Sequence, residues 1–196
     1  MKPQEQMLIA EMAQEMLRLT QKISKVDAQI RQALEPIEQA KPLRQMLGAV
    51  TTAVVLAYVG FPSAFHSPAA LEKAMGLNLR ESSSGKQTNR GVHITKRGPG
   101  IVRKYLYLAT MRWIRTDEVA KAWYSQRSGY TEKSKGKALI ALMRKKVKAI
   151  WQVGQGHSYQ AHRLFDVRRL HKILGAQPGG DMAGADRGNT AEAIGG

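Results

Sequence analysis

The chain has 196 residues, no cysteine, and 31 lysines and arginines against 15 acidic residues, a formal net charge of +16 at pH 7. Disulfides and thiolate metal sites are thereby excluded, and so large a charge repels itself unless a polyanion is at hand, which makes nucleic acid the favoured partner and an anionic membrane surface the second. With 43% hydrophobic residues and a mean hydropathy of −0.37, the chain can bury one modest core plus an appendage, not two ordinary domains.

The five histidines (His66, His93, His157, His162 and His171) show no HExxH or comparable ligand framework, so no metal site is expected. The opening MKPQEQ runs straight into an amphipathic pattern and carries no signal-peptide core. The most apolar run, residues 49–59, is 11 residues long and interrupted by Thr51 and Thr52, well short of the roughly 20 that span a bilayer. A cytoplasmic, nucleoid-associated protein without membrane contact is the expectation.

In the first 40 residues, Ile9, Met12, Met16, Leu19, Ile23, Val26, Ile30, Ala33 and Ile37 recur at alternating spacings of 3 and 4, a heptad seam sustained for four heptads. A helix so striped must hide its seam against a partner chain, against a docking segment, or on its own domain. Pro36 is placed to kink or end it. Residues 1–40 hold 5 basic and 6 acidic side chains, so this coiled-coil arm is not where a polyanion would bind.

Residues 41–172 hold 25 basic against 6 acidic side chains, a net +19. This basic helical domain opens with a glycine turn at Gly48 leading into a short apolar helix, and a second helix follows Ser67-Pro68, with serine as N-cap and proline in the first turn. The arrangement resembles one half of a helix-hairpin-helix unit, whose turn amides meet a DNA phosphate. Only one of the two glycines expected of such a unit is present, and a purely structural hairpin remains an equal reading.

Residues 76–100, GLNLRESSSGKQTNRGVHITKRGPG, have no apolar face and read as a long polar basic loop. Arg80, Lys86, Arg90, Lys96 and Arg97 are basic, with His93 a further potential cation; Glu81 is the one acid, and Ser82, Ser83 and Ser84 precede Gly85. Such a loop, held by helices on both sides, is built to meet phosphate. Pro99 then opens a long helical pattern in which Val102, Leu106, Ala109 and Trp113 make a core face, while Arg103, Lys104, Arg112 and Arg115 lie off it. The positive end of that helix and its basic neighbours point to one place. Residues 125–136 lapse into a polar loop. A further helix follows, with Leu139, Leu142, Met143, Val147, Ile150 and Trp151 on one side and Arg144, Lys145 and Lys148 on the other. From residue 175 glycine and alanine dominate, and residues 173–196 are expected to be a disordered tail. The fold class is therefore mainly α.

The acids of the basic block (Glu72, Glu81, Asp117, Glu118, Glu132 and Asp166) supply no converging carboxylates for metal-dependent phosphoryl transfer. A serine hydroxyl in an arginine-rich loop can attack a phosphodiester if the developing charge is clamped by cations. The same serines can equally form a phosphate-contacting turn.

The run LGAVTTAVVLAYVGFPSAFHSPAALEKAMGLN, followed by SSGKQTNRGVHITKRGPGIVRKYLYLATM and KGKALIALMRKKVKAIWQVGQGHSY, resembles the C-terminal domain of the DEDD-type, bridge-RNA-guided insertion-sequence transposases of the IS-one-ten group. The likeness covers about residues 44–160 and is most specific at Gly76-Leu77, Ser84-Gly85, Lys96-Arg97-Gly98 and the helix carrying Arg103. It implies that Ser84 is the covalent nucleophile, with Ser83 and Ser82 as alternatives because the family's glutamate before the serine is replaced by Ser83. It implies that DNA and a guide RNA are held by the surrounding basic residues; taken with the readings above, the expected nucleic-acid contacts are Arg80, Lys86, Arg90, Lys96, Arg97, Arg103, Lys104, Arg144, Lys145 and the Gly48 turn. The heptad helix resembles the coiled coil that joins this domain to an N-terminal RuvC-like domain, whose acidic residues bind magnesium. No cofactor is expected in the present sequence itself, activity is expected only with a RuvC-like domain, and the arm is expected either to make a homo-oligomer or to associate with a RuvC-like domain. A non-catalytic basic RNA- or DNA-binding protein is the alternative.

Overall fold

The computed structural model describes residues 2–80 and 93–166. Ser82, Ser83, Ser84, Lys86, Arg90 and the tail from residue 173 lie outside the described residues. The architecture is mainly helical, as the periodicities imply. Helix α1 spans Pro3–Leu34, α2 Lys41–Leu47, α3 Ala49–Tyr58 and α4 Pro68–Ala74. A two-stranded ribbon, β1 (Leu79–Arg80) and β2 (His93–Ile94), comes next, then α5 (Gly100–Thr116), α6 (Glu118–Ser128), α7 (Glu132–Gly154) and α8 (Ala161–Leu164).

Helix α1 stops before Pro36, as proline geometry requires. Its final turns are held: Leu34 is buried, Ile30 and Ile37 are half-buried, and Glu35 accepts a 2.9 Å ion pair from Arg44 in α2. The remainder projects with its seam uncovered, Met12, Met16 and Ile23 being 59%, 68% and 62% exposed. Among the described residues no helix is long and apolar enough to cross a membrane.

The compact part is organised on α7, whose apolar positions face two ways. Met143, Val147, Ile150 and Val153 pack with Leu43, Leu47, Val55, Leu71, Leu77, Val102 and Leu106. Leu142 and Ala149 pack with Trp113, Trp123, Leu164 and Phe165. A helix carrying apolar side chains on so wide an arc must be sandwiched, and each large side chain buried there contributes about 1.5–3 kcal/mol.

Three features differ from the sequence expectation, two of them for a capping reason and the third through strand pairing. The pattern opened by Pro99 is two helices, broken at Asp117, which takes an extended conformation and caps α6 by accepting from Ala120 N at 2.9 Å. The polar stretch 125–136 is mostly helical, because α6 runs to Ser128 and Thr131 caps α7 by accepting from Ser134 N at 3.1 Å. The long polar segment contains the β1–β2 ribbon at its two ends. At α4 the expected cap is found, with Ser67 Oγ accepting from Ala70 N at 3.2 Å and Pro68 in the first turn.

Candidate nucleic-acid interface

The ribbon pairs Leu79 with Ile94 and Arg80 with His93, so the two ends of segment 81–92, which carries the serines, emerge side by side. Below the pairing, Thr95 Oγ1 donates to Asn78 Oδ1 at 2.5 Å, Thr95 N to Asn78 O at 2.9 Å, and Lys96 N to Gly76 O at 3.1 Å. Two backbones then cross in contact. A Cβ at Gly76 (φ +70°) would lie 2.5 Å from Gly98 N, and one at Gly98 would meet the carbonyl oxygen of Ala74 and stand 2.5 Å from Met75 C. Only glycine allows that approach. Arg103, one turn into α5, fastens the crossing by donating from Nη1 to Gly98 O at 2.5 Å and to Met75 O at 3.5 Å.

Four exposed cations flank this crossing in the chain. Arg80, Lys96, Arg97 and Lys104 are exposed within a few residues of the ribbon or of the α5 N-terminus, and Lys96 takes a left-handed φ of 55°, uncommon outside glycine. The three other described cations on the expected list carry intramolecular partners. Arg103 clamps the crossing. Arg144 Nε pairs at 3.0 Å with Glu72, whose side chain is 5% exposed. Lys145 donates to the carbonyl of Leu164 and lies 5.3 Å from the Trp123 ring and 5.0 Å from that of Phe165; burial, with Lys148 and Arg127 nearby, lowers its pKa.

Gly48 (φ +81°) is the whole connection between α2 and α3; a Cβ there would stand 3.3 Å from Arg112 Nη2, and the Arg112 guanidinium donates to Leu47 O. The first residues of α3, together with Arg112 and with Arg31 and Asp27 of α1, line a cleft of about 270 Å³. Arg112 was placed off the core face by the periodicity, but nothing in sequence brings it to the glycine turn. Among the described residues no cluster of three or more metal-ligating side chains forms.

A second polar centre was not anticipated. Asp117 accepts from Trp113 Nε1 at 3.1 Å and Tyr159 Oη at 3.0 Å while capping α6. Burial and Asp117 raise the Tyr159 pKa. Beside it lies Lys146, 3% exposed, its ammonium 4.4 Å from the Trp113 ring centroid. The signal was legible: Lys146 falls on the same stripe as Leu142, Ala149 and Ile150, where a charged residue must be buried.

Residues 45–125 match the model of the Transposase IS116/IS110/IS902 family. The matched segment takes in the glycine turn, the backbone crossing, the Arg103 clamp and the Asp117 cap, in keeping with a C-terminal transposase domain of the IS110 group and supporting a role in insertion-sequence transposition. No curated protein matches the chain.

Proposed function

We propose that residues 41–172 form the nucleic-acid-binding domain of an insertion-sequence transposase, in which Ser84 attacks a DNA phosphodiester when a RuvC-like domain completes the site. The observation that carries this reading is the glycine crossing: it brings both ends of the serine segment together among Arg80, Lys96, Arg97 and Lys104. In the attack the serine hydroxyl loses its proton, its oxygen forms a bond to phosphorus, and one bridging P–O bond breaks to leave a hydroxyl strand end. Guanidinium and ammonium groups offset the charge that develops on the phosphate. The RuvC-like domain supplies the acidic ligands for magnesium. Lys86 and Arg90 belong to the same contact set, and a guide RNA occupies part of the basic surface. The Gly48 turn, in the manner of a helix-hairpin-helix, takes a further phosphate on the α3 amides with Arg112 beside it.

Helix α1 serves as the association arm in this proposal. Its uncovered seam, Ile9 to Val26, needs about two and a half heptads of partner, either a second copy or a RuvC-like domain. The protein would act at the nucleoid.

The test is a protein–DNA adduct assay with labelled donor and target DNA, the matching RNA and a full-length partner. An adduct that vanishes in Ser84→Ala and moves to neither Ser83 nor Ser82 supports the assignment. Persistence of the adduct in Ser84→Ala removes it, and absence of any adduct with retained DNA binding favours a non-catalytic binding protein.

A further inference from the structure

The uncovered part of α1 carries flanking charges that give its apolar seam a direction. Ile9, Met12, Met16, Leu19, Ile23 and Val26 share that seam and are between 45% and 68% exposed. In heptad terms Ile9, Met16 and Ile23 hold the first position and Met12, Leu19 and Val26 the fourth. Glu15 and Lys22 each stand directly before a first-position residue and so flank the seam on one edge; Ala13 and Thr20 flank it on the other. Both charges face solvent, and the ion pair Glu15 makes with Arg18 lies on an exposed face away from the seam. Beyond Val26 the seam is no longer free. Asp27 and Ile30 are half-buried and Leu34 is buried against the compact part.

A second copy lying antiparallel sets first positions against fourth. Ile9 meets the partner's Val26, Met12 the partner's Ile23 and Met16 the partner's Leu19, and the same three layers repeat across the dyad. In this register Glu15 faces the partner's Lys22 and Lys22 faces the partner's Glu15. Sliding one heptad either way sets Lys22 against the partner's Lys22, or Glu15 against the partner's Glu15, and covers fewer seam residues, so charge and burial select the same alignment. The parallel arrangement is worse served. Its one favourable flanking pair joins Lys22 to the partner's Asp27, yet Asp27 lines a cleft with Arg31 and Arg112 of its own chain. A parallel pair would also run on past Ile30 and Leu34, where each helix is already covered by its own compact part.

We infer that α1 forms an antiparallel two-helix coiled coil with a second copy of this chain, its dyad between Leu17 and Arg18 and its register fixed by two Glu15–Lys22 pairs between the copies. It rests on the association-arm reading above, of whose two partners it names one, and owes nothing to the nucleic-acid reading. With a rise of about 1.5 Å per residue, the points where the two arms enter their compact parts stand roughly 40 Å apart, at opposite ends of the rod.

The chain has no cysteine, so an introduced one reports the pairing directly. Met12→Cys and Ile23→Cys alter exposed positions and leave the core intact. Under mild oxidation each variant alone should stay free of disulfide dimers, because its two thiols lie at opposite ends of the pair. Mixed together, with one carrying a size tag, the two should give the mixed disulfide dimer. Sedimentation equilibrium of the full chain reads the charges. Glu15→Lys should weaken self-association roughly tenfold, since two attractions become two repulsions, and adding Lys22→Glu to it should restore the wild-type constant. Disulfide dimers of Met12→Cys alone show a parallel pair, which overturns the inference and leaves α1 an association arm. Failure of the double charge variant to recover overturns the Glu15–Lys22 register. A wild-type chain that remains single at every concentration overturns the inference and removes a second copy as the arm's partner. DNA affinity measured on the same samples decides the nucleic-acid reading separately.

Discussion

At the scale of single residues, the structure separates cations that hold the fold from cations left to solvent. Arg144 neutralises a carboxylate with only 5% of its side chain exposed, so Arg144→Ala leaves Glu72 buried and unpaired. The expected cost is about 3 kcal/mol, read as a lower urea midpoint, with little change in how any DNA affinity responds to salt. Lys146 behaves in the opposite way. Its pKa falls from 10.5 to about 8, mainly through burial and secondarily through Arg112, with Asp117 opposing. Below pH 8 the ammonium is charged in both states and the full burial penalty is present. Between about 8 and 10.5 the unfolded chain holds the proton longer, so stability rises with pH. Above pH 10 the raised Tyr159 pKa acts in reverse, since the unfolded phenol ionises first. Urea midpoints should therefore climb from pH 8 to about 10 and then turn over. Lys146→Met should make the climb shallower, leaving the smaller rise that the lowered Lys145 pKa supplies, and gain about 2 kcal/mol at pH 7; a flat profile in the wild type would contradict the buried-cation account.

At the scale of elements, sequence reasoning was strongest where periodicity and capping act locally. The end of α1 before Pro36, the Ser67-Pro68 start of α4 and the core face Val102, Leu106, Ala109 and Trp113 follow from such rules. The break at Asp117 was missed although Asp117-Glu118 is an N-cap followed by an acidic first turn, because the apolar pattern runs on across it. The glycine crossing was illegible for a different reason. Gly76 and Gly98 are 22 positions apart, and only the tertiary contact says why neither tolerates a Cβ. Gly98→Ala should cost about 3 kcal/mol or more, since the clash is with backbone and no flexible side chain can yield. Thermal unfolding reads this directly. The arm is an element-scale case as well: Met16 and Ile23 are more than 60% exposed, so Met16→Glu with Ile23→Glu should leave the unfolding midpoint nearly unchanged. If α1 is an association arm, sedimentation equilibrium should show those substitutions reducing the assembly to single chains.

At the scale of the whole molecule, charge and architecture divide the labour. The arm is nearly neutral, the helical part carries the excess, and the ribbon with the α5 N-terminus gathers exposed cations next to the serine segment. Of the residues expected from sequence to contact nucleic acid, Arg103, Arg144 and Lys145 also have partners inside the fold. Composition reports how many cations there are, and folding decides which of them find partners. The most direct measurement of the central claim is the salt dependence of DNA affinity for the wild type and for the combined variant Arg80→Gln, Lys96→Gln, Arg97→Gln and Lys104→Gln. With about six phosphates neutralised, wild-type affinity should fall on the order of a thousandfold between 50 and 200 mM salt, and the variant's slope of log affinity against log salt should be shallower by about 3 to 4. A variant slope equal to that of the wild type would contradict the account.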